Sequence, residues 1–223
     1  MKKIKHLLKK VNFIYVTLQK LRTLVVSIKR KHGRLIVKNF GNYEITKYIQ
    51  GKNNALFVGK DAFIDNALIR IMGNNNKIFF EENVHVGPKC SFWMEGDNIE
   101  IRIGKNTTFT LACHVNAQEN DSRIIIGEDC MFSNNIIVRT SDSHPIIDLN
   151  TRKRINPPQN VIVGNHVWIA PQAMIMKGCV IGNGSIVGSR AVLTKKYPQN
   201  VLIVGSPGRI AKENISWTRD RIF

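Results

Sequence analysis

The sequence predicts an all-β fold, a parallel β-helix coiled from six-residue units, with a basic helical arm ahead of it. Three observations predict the coil. Val163, Ile169, Ile175, Ile181, Val187 and Leu193 recur at intervals of six without a slip. The fifth place of each hexad holds a short side chain, at Val167, Ala173, Cys179, Ser185 and Ala191. Gly or Ala often follows the aliphatic residue, as at Gly164, Ala170, Gly182 and Gly188. A helix face would recur at three and four residues and a half-buried strand at two, so a period of six marks a short strand plus a corner. Three units to a coil make a triangular prism in which each coil buries its neighbour's face and no repeat is stable alone.

The arm comes first in the chain. Residues 1–38 carry nine Lys and three Arg with no Asp or Glu, which places twelve of the seventeen net positive charges there. The rest of the chain, with 21 basic and 16 acidic residues, is only mildly basic, so nucleic acid is not an expected partner despite the total charge. Ile4, Leu7, Leu8, Val11, Ile14, Leu18 and Leu21 fall at helical spacing among those charges, and an amphipathic helix or helix pair is expected. No uncharged run approaches the ~20 residues of a spanning helix, and no small-residue cleavage pattern marks a signal peptide; a cytoplasmic protein is expected. Two compatible readings of residues 1–31 follow. A basic amphipathic segment lies on an anionic leaflet, the inner face of the cytoplasmic membrane, gaining ~1 kcal/mol for each Lys or Arg near the surface. Otherwise it packs on the prism base or on sister subunits.

Residues 39–212 are expected to form one domain, with the prism itself running from about residue 55 to about residue 195. Weaker copies of the hexad frame lie upstream, for example Phe80, Val84, Val86, Cys90 and Phe92, then Ile126, Cys130, Phe132, Ile136 and Val138. Turn-rich interruptions at Gly73–Asn76 and Glu95–Asn98 are expected to shift the register between coils. All four cysteines (Cys90, Cys113, Cys130, Cys179) occupy the fifth place of a hexad. Free Cys suits a small apolar site, and without a C-x-x-C pair this reading is preferred to metal binding or nucleophilic catalysis. Residues 213–223 form a C-terminal tail.

The repeat fails between Val138 and Val161, and residues 139–160 form the candidate active-site loop, because long loops on a regular scaffold often carry function. It holds Ser141-Asp142-Ser143-His144-Pro145-Ile146 and the basic run Arg152-Lys153-Arg154. His144 is a candidate general base, Asp142 would fix its tautomer, and Pro145 holds it toward extended geometry. The other reading is a surface histidine beside an Asx turn. Arg152 and Arg154 would attract an anionic glycan, or face solvent as loop charges usually do. His114 and Asn116, in another irregular patch, are candidates for the acceptor site, whereas His85 and His166 are expected on the surface. Trp168, at the sixth place of its hexad, should point out of the prism.

The hexads, the S-D-x-H-P-I loop at 141–146, Val167-Trp168-Ile169-Ala170, and Thr194-Lys195-Lys196 followed by Gly205-Ser206-Pro207-Gly208-Arg209-Ile210 together resemble the hexapeptide-repeat acyltransferases. The likeness covers residues 55–212. It extends to maltose, galactoside and serine acetyltransferases, and in particular to O-acetyltransferases of capsular and other surface polysaccharides. The resemblance implies a left-handed coil, a hand that the period does not show and that runs against the right-handed crossover rule. It implies a homotrimer with the active site in the groove between prisms. It also implies that His144 takes the proton of an acceptor hydroxyl, which attacks acetyl-CoA directly without an acyl-enzyme. Trp168 would contact donor or acceptor, or else sit in the trimer interface. Ala170, Gly188 and Ser189 would line the pantetheine groove, and Lys195, Lys196, Arg209 and Lys212 are cations near the prism's end that suit the CoA phosphates. This chain departs from the pattern in having Gly208 after its Pro where Ala is usual, and Ala170 where Gly is usual.

The expected function is O-acetylation of a sugar in a surface polysaccharide. The alternatives are a small-molecule acetyltransferase acting on a free sugar, an antibiotic or serine, and a non-catalytic assembly module. A zinc-dependent carbonic anhydrase on the same scaffold needs three His ligands, and six widely spaced His do not suggest them; no metal is expected.

Overall fold

The computed structural model describes residues 35–222, and all 22 elements in that range are β-strands. The predicted helical arm lies outside the described residues except for 35–38. These belong to the first strand, Leu35–Asn39, which pairs in parallel with Asn54–Val58. The solenoid therefore takes in part of the segment assigned to the arm and runs further in both directions than expected.

Strands stack on three faces. The first face carries Leu35–Asn39, Asn54–Val58, Lys77–Phe80, Glu100–Ile103, Arg123–Ile126, Val161–Val163, Val180–Ile181 and Lys196–Tyr197 as parallel neighbours. The second carries His85–Val86, Thr108–Leu111, Met131–Asn134, Trp168–Ile169, Ile186–Val187 and Val201–Val204. The third carries Ser91–Glu95, His114–Gln118, Ile137–Arg139, Met174–Ile175 and Val192–Leu193. The long strand Phe63–Met72 rounds the corner between the second and third faces, pairing with His85–Val86 on one and Ser91–Glu95 on the other. Arg209–Glu213 reverses direction and pairs antiparallel with Val201–Val204.

The inward rule read from the hexads holds. The six period-defining aliphatics and the fifth-place residues Val167, Ala173, Cys179, Ser185 and Ala191 are buried. Upstream coils are wider inside and are filled by Phe80, Phe92, Phe109 and Phe132, whose successive ring centroids lie 4.9, 6.0 and 4.5 Å apart. Glycine follows the aliphatic where coils meet closely: a Cβ on Gly127 would come within 2.6 Å of the Gly164 backbone in the next coil. The corners turn on left-handed residues such as Asn75, Asn83, Asn98, Asn106 and Asp129, a conformation that Asn and Asp tolerate best among side-chain-bearing residues.

The upstream interruptions do not shift the register. From Lys77–Phe80 to Arg123–Ile126 the coils repeat at 23 residues rather than the 18 of the later hexads, and the additional residues fall at the corner between the third and first faces. Asparagines stack along that corner. Asn76 Nδ2 donates to Gly96 O at 2.9 Å and its Oδ1 accepts the Ile99 N–H at 2.8 Å. Asn53, Asn75, Asn98 and Asp121 bond side chain to side chain from coil to coil.

Candidate active site

The loop at 140–160 leaves and re-enters the prism at this same corner. Its neck is held by buried Thr140, whose Oγ1 accepts the Gln118 N–H at 2.9 Å and whose carbonyl accepts the Gln159 N–H at 2.9 Å. Beyond the neck the chain folds into a small hairpin, with the Ile155 N–H donating to Ile146 O and the Asp148 N–H to Lys153 O, both at 2.9 Å. Asn156 fastens the hairpin to the neck. Its Oδ1 accepts the Ile146 N–H at 2.6 Å, and its Nδ2 donates to Asp142 Oδ2 at 2.8 Å and to His144 O at 2.9 Å. His144 is thus presented from a backbone bonded on both sides. Its side chain is exposed, and its ring has no hydrogen-bond partner among the described residues.

Asp142 does not orient His144, contrary to expectation. Its Oδ2 faces the Lys177 ammonium at 2.5 Å, and Lys177 with Asn156 holds the carboxyl below its usual range. The chain turns between the two residues, with Ser143 in the left-handed region at φ 67°, and Lys177, from the tight corner of the following coil, stands where Asp142 points. The basic run is also corrected. Arg154 makes a two-pronged pair with Glu119 at 2.5 and 2.7 Å, and Ser141 Oγ donates to the same carboxylate at 2.5 Å. Arg154 holds the Glu119 carboxyl below its usual range and is a brace for the loop. Arg152 sits exposed in the hairpin turn with φ 57°.

Arg139, unnoticed in the sequence, closes the loop's entry, donating from Nε to Ser141 O at 2.8 Å and from Nη2 to Ser143 Oγ at 2.9 Å. It lies in register with Asn116, and Asn116 with Trp93 and Trp93 with Arg70. The Arg70 guanidinium sits 4.5 Å over the Trp93 ring. Beside this outward strip His114 Nδ1 meets Ser91 Oγ at 2.7 Å. His114 and Asn116 therefore share the face that leads into the loop.

Trp168 points outward on the second face, between Met131 and Ile186. That face is opposite the corner from which the loop springs, so a single chain does not bring Trp168 and His144 together. Ala170 is buried, Gly188 half-buried and Ser189 exposed along the same face. The four cations separate: Lys195 and Lys196 end the first face, whereas Arg209 and Lys212 lie on the reversed strand beside the second, all exposed. The cysteines are free and buried, and burial pushes the thiols of Cys130 and Cys179 up to about 11 and about 12, so neither supplies a thiolate at neutral pH. Among the described residues no three His, Cys, Asp or Glu gather as metal ligands, and no helix is long and apolar enough to cross a membrane. A surface cavity of about 610 Å³ lined by Lys38, Phe40, Phe57, Phe79 and Lys105 lies on the first face near the start of the prism and contains none of the candidate residues.

Residues 160–195 match the family described as bacterial transferase hexapeptide (six repeats). The polysialic acid O-acetyltransferase of Neisseria meningitidis is 37% identical over 171 residues, covering 76% of this chain and 77% of that protein. The chain belongs to the hexapeptide-repeat acetyltransferases. The polysialic acid O-acetyltransferase of Escherichia coli O1:K1 / APEC is 33% identical over 120 residues, 54% of this chain, and this chain spans only 38% of its length. The crystal structure of the polysialic acid O-acetyltransferase OatWY superposes with a TM-score of 0.77 at 31% identity, over 84% of this chain and 88% of that one.

Two features of this acetyltransferase were out of reach of the hexads. Gly208, the departure from the family's tail, lies where an added Cβ would stand 2.8 Å from Tyr197 Oη, and that hydroxyl donates to Gly208 O at 3.2 Å. His166, expected on the open surface, is engaged by Asp129 at 2.6 Å and stacks on Trp217 with centroids 4.2 Å apart.

Proposed function

We propose that this acetyltransferase transfers acetyl from acetyl-CoA to a hydroxyl of a sialic acid polymer or a similar acidic surface polysaccharide. The relative from Neisseria meningitidis carries this reading, because the likeness extends through the loop and both flanking faces rather than the hexads alone. His144 accepts the proton of the acceptor hydroxyl as its oxygen attacks the thioester carbonyl. The carbon–sulfur bond then breaks, and the proton passes to the departing CoA sulfur. The cation-bearing strip of Arg70, Trp93, Asn116 and Arg139, with His114, suits an acidic sugar chain laid toward the loop, carboxylates pairing with guanidinium groups. Trp168 lines the transfer site, and the small residues Ala170, Gly188 and Ser189 serve the donor side, with Lys195, Lys196, Arg209 and Lys212 available to CoA phosphates.

The assembly is a homotrimer in this proposal, because the face carrying Trp168 is turned away from its own chain's loop, and a neighbour's loop completes the site. The twelve cations of residues 1–38 favour a cytoplasmic enzyme held at an anionic membrane face, where polymer and acetyl-CoA meet.

The decisive experiment is thiol release from acetyl-CoA with polysialic acid as acceptor. His144→Ala is expected to lower kcat by at least ~10²-fold, the lower range for loss of a general base, with oligomeric state unchanged. Unchanged turnover in that variant would overturn the mechanism. Turnover of galactosides or chloramphenicol in preference to polysialic acid would overturn the acceptor.

A further inference from the structure

The C-terminal tail, which the mechanism above does not use, returns to the prism beside Trp168. Trp217 is its anchor. The Trp217 indole Nε1 donates to the His166 carbonyl at 2.8 Å, and the His166 Nε2 donates to the Trp217 carbonyl at 3.0 Å. The two rings lie face to face at 7°. His166 is gripped from the other side by Asp129, which also takes Arg219 Nε at 3.0 Å. Arg219 reaches back across the coils to Thr108 Oγ1 at 3.2 Å and Cys130 O at 3.0 Å. The result is a clasp of four side chains drawn from three distant parts of the chain, and it sets a second, half-buried indole 6.3 Å from Trp168, tilted by 50°.

An exposed strand would hold its tail against solvent with far less, and two indoles set at an angle outside a core form an amphipathic corner suited to the C–H face of a pyranose ring. The side from which Trp217 approaches is informative. It comes from the corner at His166, ahead of Trp168, whereas Ala170 and Gly188, the residues on the donor side, follow Trp168.

We propose that the clasped Trp217 is a positioning residue for acceptor binding, and that Trp168 and Trp217 together form one wall for a sugar ring. The inference rests on the reading that Trp168 lines the transfer site.

The test compares the full-length wild type with Trp168→Ala, Trp217→Ala, Trp217→Phe and Asp129→Asn. It measures kcat and KM separately for polysialic acid and for acetyl-CoA, with thermal melting and a circular dichroism couplet from the indole pair. Trp217→Ala and Asp129→Asn are expected to raise KM for polysialic acid at least about tenfold, inside the ~10²-fold that slight misplacement costs. The acetyl-CoA KM is expected to stay unchanged and Trp217→Phe to recover most of the effect. The couplet is expected to vanish in both Trp→Ala variants. If Trp168→Ala impairs turnover and Trp217→Ala leaves the polysialic acid KM unchanged, the inference is overturned and the transfer reading stands. If Trp217→Ala lowers both KM-based efficiencies equally in step with its melting temperature, its role is structural and the inference is overturned. Unchanged kinetics in Trp168→Ala would overturn the site reading and this inference with it.

Discussion

Asn156 is nearly sealed from solvent and bonds at once to Ile146, Asp142 and the carbonyl of His144. Truncating it removes three bonds to half-buried or exposed partners that water can replace, in the one place where backbone position aims the proposed base. Asn156→Ala is therefore expected to lower kcat by ~10- to ~10²-fold with little change in melting, measured by single-turnover acetyl transfer. The carboxyls of Asp142 and Glu119 make the same loop acid-sensitive. Both are held below their usual values, by Lys177 and by Arg154 first. A depressed folded-state value means that their contribution is complete above the unfolded carboxylate range near ~4 and is lost as pH falls through the folded value. Hydrogen exchange of residues 140–160 is expected to stay slow at neutral pH and to accelerate below about pH 4, and Lys177→Met should move that onset upward. The loop that carries His144 and the outward aim of Trp168 were legible because a broken repeat and a hexad position are local facts. The partners of Asp142 and Glu119 were not, since Lys177 and Arg154 lie 35 residues away from them along the chain and meet them only through coil stacking.

Among the elements, the later coils could be read strand by strand, because aliphatic and small residues alternate there at a strict interval. The earlier coils hid a second period. Gly73, Gly96 and Glu119 stand 23 residues apart and begin the same enlarged corner in successive coils, yet a search for sixes treats them as interruptions. The candidate active-site loop is the largest of these enlargements, grown where the scaffold already tolerated additional chain. The asparagine stack holds that corner without apolar side chains. The side chain of Asn76, fully buried, bonds twice to the coil after it, at Gly96 O and the Ile99 N–H, so Asn76→Ala is expected to cost ~1–3 kcal/mol. The solvent-facing Asn75→Gly, which keeps the left-handed turn, should remain within ~0.5 kcal/mol. Thermal unfolding of the two single variants checks the difference, and equal shifts would show that the stack is incidental.

Across the whole molecule, Trp168 lies on the face opposite the corner that carries the loop of His144. In the proposed trimer each groove takes His144 from one protomer and Trp168 from the next, so two individually impaired variants should complement. Mixing unfolded His144→Ala with unfolded Trp168→Ala and refolding them together is expected to restore part of the wild-type rate in mixed trimers, because some grooves then receive both native residues. Absence of recovery would place both residues in the same protomer's site. The far end of the prism has a different consequence. A parallel coil ends on a row of free N–H and C=O groups in the spacing that another parallel coil would need, an open invitation to fibre growth. Arg209–Glu213 runs the other way along Val201–Val204 and sets Arg209, Lys212 and Glu213 on the outermost edge. A second molecule arriving there meets a strand of the wrong polarity bristling with charge, and the stack of coils stops at a fixed height instead of continuing from molecule to molecule.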